Sequence, residues 1–155
     1  MNEEHYQTVV DKFIFTVKRG LFYTQNDTWV KLENGRVRVG LTDFFQRRVG
    51  DVVYLEFSKV GIMVKRSEEI AQLESIKTVS SITSPLEGTI LEVNESLTNK
   101  PEMINEESYG KGWLVLIYPV NLKKNLNQLL TAERYFELMK VKLENEMKRS
   151  NKESK

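Results

Sequence analysis

Lys77 is the side chain of this sequence best placed to do chemistry, and its neighbours say why. In Gln72-Leu73-Glu74-Ser75-Ile76-Lys77-Thr78-Val79-Ser80, Leu73 and Ser75 on one side and Thr78 and Ser80 on the other suit two strands of a tight hairpin. Lys77 falls at the tip. A lysine there is solvated, free of the sheet ladder and open to a modifying enzyme. Its amine can form an amide with a carboxylic acid, which removes the cation and leaves a long flexible stem carrying whatever group the acid brings. A surface lysine taken alone is ordinary. The residues flanking this one set it apart.

Other chemistries fail on composition. His5 is the only histidine and there is no cysteine, so histidine clusters, thiolate metal sites, disulfides and a Ser-His-Asp arrangement are all excluded. No Gly-x-x-x-x-Gly-Lys phosphate loop occurs. Basic and acidic residues nearly cancel, 23 against 22, which leaves no footprint for nucleic acid. The start, Met1-Asn2-Glu3-Glu4-His5, is acidic and lacks the apolar stretch of a signal peptide, and no window approaches the roughly 18 apolar residues of a membrane span. A soluble, cytoplasmic protein is expected. At 155 residues the chain is one domain, or one domain with an appended helix, and 40% apolar residues suffice for a core.

The elements that must hold Lys77 in place read as mostly β. Met1 to Lys12, polar with apolar points at Tyr6, Val9 and Val10, reads as a short helix or a loose arm. Phe13-Ile14-Phe15-Thr16-Val17 reads as a strand ended by Arg19-Gly20. Tyr23 to Leu32 gives a strand pair broken at Asn26-Asp27, and Asn34-Gly35 is a strong hairpin turn. Arg36 to Gly40 alternates with period two, and Thr42 suits the N-cap of one helical turn through Arg47. Val52 to Phe57, Ile70 to Ser75, Thr78 to Ile82, Gly88 to Val93 and Trp113 to Tyr118 complete a run of short strands. Their regular spacing predicts a sandwich or barrel, with Tyr54 and Trp113 in its core. Gly40, Gly50, Gly61 and Gly88 are expected where the backbone bends. From Leu122 the period changes to that of a helix: Leu129, Ala132, Phe136, Met139, Leu143 and Met147 form a stripe, with Thr131 as cap. Such a stripe packs a helix across a sheet. The charged tail, Lys148 to Lys155, is expected to fray.

Glu74-Ser75-Ile76-Lys77-Thr78 resembles the lipoylation site of the glycine cleavage H proteins, in which an acidic residue stands three positions before the modified lysine. Biotinyl domains instead flank their lysine with methionines, and here the neighbours are Ile76 and Thr78. The resemblance extends from Tyr23 to Asn121 through Trp29-Val30, Val39-Gly40-Leu41-Thr42-Asp43, Gly50-Asp51-Val52-Val53-Tyr54, Ser84-Pro85-Leu86-Glu87-Gly88 and Tyr109-Gly110-Lys111-Gly112-Trp113-Leu114. It implies a barrel-sandwich hybrid of the lipoyl/biotinyl type with a C-terminal helix. The implied layout is an N-terminal extension over 1–22, a lipoyl domain over 23–121, and a helix with a charged tail over 122–155. It also implies lipoate in amide linkage to Lys77, placed there by a lipoate-attaching enzyme, and a carrier rather than a catalyst, presenting its arm to successive enzymes at high effective concentration. A chain without cysteine has no thiol of its own to exchange with such a dithiol.

The departures from that family carry an expectation too. Its segment between the Tyr-Thr and Trp-Val pairs is here Gln25-Asn26-Asp27-Thr28: Asp27 replaces a histidine and Thr28 a glutamate. Ser81 stands four positions after Lys77, where an aspartate is common. The resemblance makes Asn26, Thr28 and Ser81 the pocket in which the arm rests. Two carboxylates expected to hold an aminomethyl ammonium are hydroxyls, and a charge-assisted hydrogen bond is the stronger kind. The sequence therefore favours a second branch of similar carriers, lipoate-binding proteins that serve sulfur oxidation with heterodisulfide-reductase-like complexes. The alternative is the glycine cleavage H protein itself, with glycine decarboxylase, aminomethyltransferase and dihydrolipoyl dehydrogenase as partners. An unmodified scaffold of the same fold is the reading from a different class.

Overall fold

Alternating apolar residues build the walls from which everything else hangs. The computed structural model describes residues 4–153, with side chains through 150. β1 (His5–Val10) and β2 (Phe13–Lys18) form a separate antiparallel hairpin. β3 (Phe22–Tyr23), β4 (Thr28–Glu33) and β5 (Arg36–Leu41) follow, then α1 (Asp43–Val49) and β6 (Val52–Phe57). β7 (Met63–Val64), β8 (Glu69–Ser75), β9 (Val79–Thr83) and β10 (Gly88–Val93) lead into the short helices α2 (Ser96–Asn99) and α3 (Met103–Glu106). β11 (Val115–Pro119), α4 (Leu122–Leu126), β12 (Leu130–Thr131) and the long α5 (Ala132–Glu153) close the chain.

One sheet runs β12-β3-β4-β5-β11-β10-β7 and a second runs β6-β8-β9. Val30, Val39, Ile90 and Ile117 from the first sheet share a core with Leu55, Ile70, Leu73 and Ile82 from the second. This is a mostly β barrel-sandwich hybrid with a C-terminal helix. Asn34 and Gly35 turn β4 into β5 at positive φ, 51° and 78°, as a tight two-residue hairpin requires. Thr42 caps α1, accepting from the Phe45 N–H at 3.2 Å.

A second core lies on the outer face of the barrel. Tyr23, Trp29 and Phe44 meet Ala132, Tyr135, Met139 and Leu143 of α5, with Val17 and Leu21 alongside. The predicted stripe is right for Ala132, Met139 and Leu143, and Thr131 Oγ1 accepts from the Arg134 N–H at 3.2 Å. Met147 is 42% exposed, and Leu129 packs against the first core instead. Within the charged tail the helix continues to Glu153, and residues 154–155 lie outside those described.

Several expectations need correction. The segment read as a helix or loose arm is strand β1 from His5 on, paired in register from His5↔Lys18 to Val10↔Phe13; residues 1–3 lie outside those described. Asp11 and Lys12 adopt positive φ, 47° and 74°, which lets a two-residue turn form without glycine. Tyr6 and Val10 then reach the second core from one face of β1. Tyr54 is 49% exposed, because a register shift between Val52 and Tyr54 breaks the alternation and turns both Val53 and Tyr54 outward. The deeply buried tryptophan is Trp29, at 1% exposure, rather than the half-buried Trp113, whose ring lies 4.3 Å under the Arg38 guanidinium. Gly40 and Gly88 serve close approach, not bending: a Cβ on Gly40 would overlap the Trp29 indole, and one on Gly88 would overlap the Tyr118 carbonyl. Gly50 and Gly61 do bend, at φ 79° and 94°.

Candidate functional site

The β8–β9 turn is built by one serine. Ser75 N–H donates to the Thr78 carbonyl at 2.9 Å, while Ser75 Oγ accepts from the N–H groups of Lys77 and Thr78, each at 3.2 Å. A hydroxyl that collects backbone donors fixes a turn where no sheet partner exists. The register Glu74↔Val79 and Leu73↔Ser80 then leaves Ile76 and Lys77 at the apex, both exposed. Glu74, Ser75, Ile76, Lys77 and Thr78 thus form one continuous tip.

The tip is anchored from outside its own hairpin. Ile76 N–H donates to the Asp51 carbonyl at 3.0 Å. Beneath lies Gly50, where an added Cβ would stand 3.5 Å from both Ile76 Cγ1 and Lys77 Cε. Gly50 is itself held, donating its N–H to the Gln46 carbonyl at 3.1 Å and accepting from Asn105 Nδ2 at 2.9 Å. Among the described residues no side chain pairs with the Lys77 ammonium. The result is a fixed stem base with a free amine.

Asn26, Thr28 and Ser81 come together around one cavity of about 440 Å³, also lined by Asp27, Arg48 and Lys142. Lys77 does not line it. Its polar groups are largely engaged with one another. Thr28 Oγ1 lies 2.6 Å from Thr24 Oγ1, and Ser81 donates to Glu69 Oε1 at 2.7 Å. Asp27, only 3% exposed, accepts from Tyr135 Oη at 2.8 Å and Lys142 Nζ at 2.9 Å, and Arg48 Nη1 stands 3.8 Å away. Burial, with the Asp27 charge beside it, pushes the Tyr135 phenol far above its ordinary range, so it stays a neutral donor. Thr42 Oγ1 completes the network 2.9 Å from Tyr135 Oη.

The sequence gives no local sign of this Asp27–Tyr135–Lys142 cluster, because Asp27 lies more than a hundred positions from the other two. The one available signal is that Tyr135 and Lys142, seven apart on a helix, share a face. Among the described residues no cluster of three or more histidine, cysteine, aspartate or glutamate side chains is arranged to hold a metal. No described helix is long and apolar enough to cross a membrane.

The family model described as "Glycine cleavage H-protein" matches residues 21–142. A probable glycine cleavage system H protein of Pyrococcus abyssi is 44% identical over 127 residues, covering 81% of this chain and 94% of that protein. The glycine cleavage system H protein of Geobacillus thermodenitrificans is 44% identical over 115 residues, covering 74% and 90%. A crystal structure of such an H protein from Mycobacterium marinum superposes with a TM-score of 0.68 at 34% identity, covering 74% of this chain and 92% of that one.

Proposed function

The chain belongs to the glycine cleavage H-protein family, and from that premise we propose that it bears lipoate in amide linkage on Lys77 and shuttles the aminomethyl group of glycine between partner enzymes. Members of the family are lipoyl carriers, not catalysts. The observation that carries the assignment to Lys77 is its place at an externally anchored turn apex with an unpaired ammonium. The residues present fit the group. Ser75 fixes the turn, Asp51 holds it to the barrel, and Gly50 leaves room for the stem. When bound, lipoate supplies a disulfide that opens to a dithiol. The chain's own part is to hold the attachment point rigid while the arm beyond it moves, so that each partner meets a preset origin and a short search.

The expectation of a sulfur-linked carrier, drawn from the uncharged Thr28 and Ser81, gains no support from these relatives, and the glycine cleavage reading fits them better. One observation keeps the sulfur reading as the second. The carboxylate that lines the cavity, Asp27, is already paired with Lys142 and Arg48, so an ammonium arriving there finds an occupied acceptor. Adding carboxylates at Thr28 and Ser81 is a poor test, since Thr28 is buried and Ser81 faces Glu69.

Intact-mass analysis after incubation with a lipoate ligase tests the assignment. One lipoyl addition is expected, mapping to Lys77 by peptide sequencing and absent from Lys77→Arg. Addition at another lysine refutes the site, and no addition to the native chain favours an unmodified scaffold. The lipoylated protein supplied to glycine decarboxylase, aminomethyltransferase and dihydrolipoyl dehydrogenase should sustain glycine turnover. Failure there, with Lys77 loaded, would favour the sulfur reading.

A further inference from the structure

Lys77 borders a second groove, and its other wall is the β1–β2 hairpin, which precedes the residues matched to the family. We propose that this groove is where the arm on Lys77 rests while it carries no load, its disulfide ring lying against Phe13 and Phe15. The inference depends on the reading that Lys77 bears lipoate.

The groove has a volume of about 390 Å³, and Phe13, Phe15, Gln46, Arg47 and Asn105 line it together with Lys77. The lysine stem already runs along its edge, since the space above Gly50 is bounded by Lys77 Cε. Phe13 is 58% exposed and Phe15 half-buried, so aromatic surface stands in water beside the modified residue. An apolar, polarisable sulfur ring suits such a wall, because sulfur makes favourable contacts with aromatic faces and edges.

The two amides of the floor are already engaged, and the Asp51 carboxylate lines the groove beside them. Asn105 Nδ2 donates to Gln46 Oε1 at 3.1 Å and to the Gly50 carbonyl, while its Oδ1 accepts from the Val52 N–H at 2.9 Å. Gln46 Nε2 donates to Asp43 Oδ1 at 2.9 Å. A neutral ligand gains little from those two amides and more by covering apolar surface. Arg47, 5.6 Å over the Phe15 ring, is already paired with Asp43.

The hairpin is fixed in place, so the groove exists before the arm enters it. Thr16 N–H donates to Asp43 Oδ2 at 2.9 Å, and Tyr109 Oη donates to the Thr16 carbonyl at 2.9 Å. Tyr6 stacks on Phe136 with ring centres 5.3 Å apart, and Arg19 lies 4.2 Å over the Tyr6 ring.

The test uses the full chain lipoylated enzymatically, with mass analysis reporting the load on Lys77. Reduction of the arm's disulfide by a bulky phosphine is followed by loss of its near-ultraviolet absorbance, with lipoamide as the free reference. The expected result is reduction about tenfold slower than lipoamide, corresponding to about 1.4 kcal/mol of closure. Phe13→Ser, at an exposed position, should restore the free rate. Independently of any variant, the ring resonances of Phe13 and Phe15 should shift on lipoylation of the native protein. A native rate equal to that of lipoamide, or shifts at Thr28 and Ser81 in place of Phe13, overturns the groove while leaving lipoylation intact. An unloaded Lys77 overturns both.

Discussion

Gly50→Ala tests whether the anchor under the lysine turn is conformational. Gly50 has φ 79° and ψ −160°, a region that only glycine occupies without strain. An added Cβ would meet Ile76 and Lys77 at 3.5 Å, an ordinary contact, so crowding contributes little. Strain should dominate, at about 1–3 kcal/mol. For a chain of this length each kcal/mol lowers the melting midpoint by about 2–4 °C, so a fall of roughly 2–12 °C is expected in a thermal unfolding scan. The same substitution should slow lipoylation of the folded protein, because relaxing residue 50 moves the Asp51 carbonyl that holds Ile76. Gly35→Ala, also at positive φ but in the β4–β5 turn, is the control: it should cost stability and leave the lipoylation rate alone. An alanine at 50 that melts with the native protein would refute the conformational argument. A stability loss with an unchanged lipoylation rate would refute the link to the turn.

Tyr135→Phe should lose about 1.5–3 kcal/mol in urea unfolding, the worth of a hydrogen bond to a charged partner, since it strips Asp27 of one buried donor. A loss below about 0.5 kcal/mol would mean that Lys142 and Arg48 suffice for Asp27 without the phenol. Stability should also carry a small acid-dependent part from Glu33. Its hydrogen bond to Arg38 at 2.7 Å holds the Glu33 carboxyl below its ordinary value. A depressed folded value means that this stability is complete above the ordinary carboxylate range and is lost as pH falls through the lowered value. The pair is partly solvated, so about 1 kcal/mol or less is at stake. The difference between native protein and Arg38→Gln should therefore be level near neutrality and shrink in acid to the part due to Trp113 stacking; a difference independent of pH would remove the pair from the account.

What was legible in the sequence was local. Ser75 through Thr78 reads as a hairpin tip because period-two alternation flanks a short polar stretch, and Thr42 and Asn34-Gly35 announce their cap and turn by residue type alone. Tyr54 was not legible, because the shift beside it depends on how β6 meets β8. The burial of Trp29 in place of Trp113 is hidden for a similar reason. Its burial rests on Gly40 directly across the ladder, a pair that exists only once the β4–β5 register is known. Strand β1 lacked a glycine turn to betray it. Of the site, Lys77 was readable, and the cavity at Asn26, Thr28 and Ser81 was readable as a grouping. The charges that occupy that cavity, and the hairpin wall beside Lys77, come from distant parts of the chain and left no local trace.

The two cores have a consequence for how the chain emerges from a ribosome. Every fully buried residue of the first core has been translated once Ile117 is made, whereas the second waits for Ala132, Tyr135, Met139 and Leu143. Until then Tyr23 lacks the Tyr135 ring that stacks on it 4.7 Å away, and Asp27 lacks its Lys142. Chaperones and proteases recognise apolar surface of this kind. A chain cut short before Met139 would display the lysine turn on an otherwise closed barrel and leave the second core unfinished. The last helix thus hides apolar surface that an unfinished chain would leave exposed.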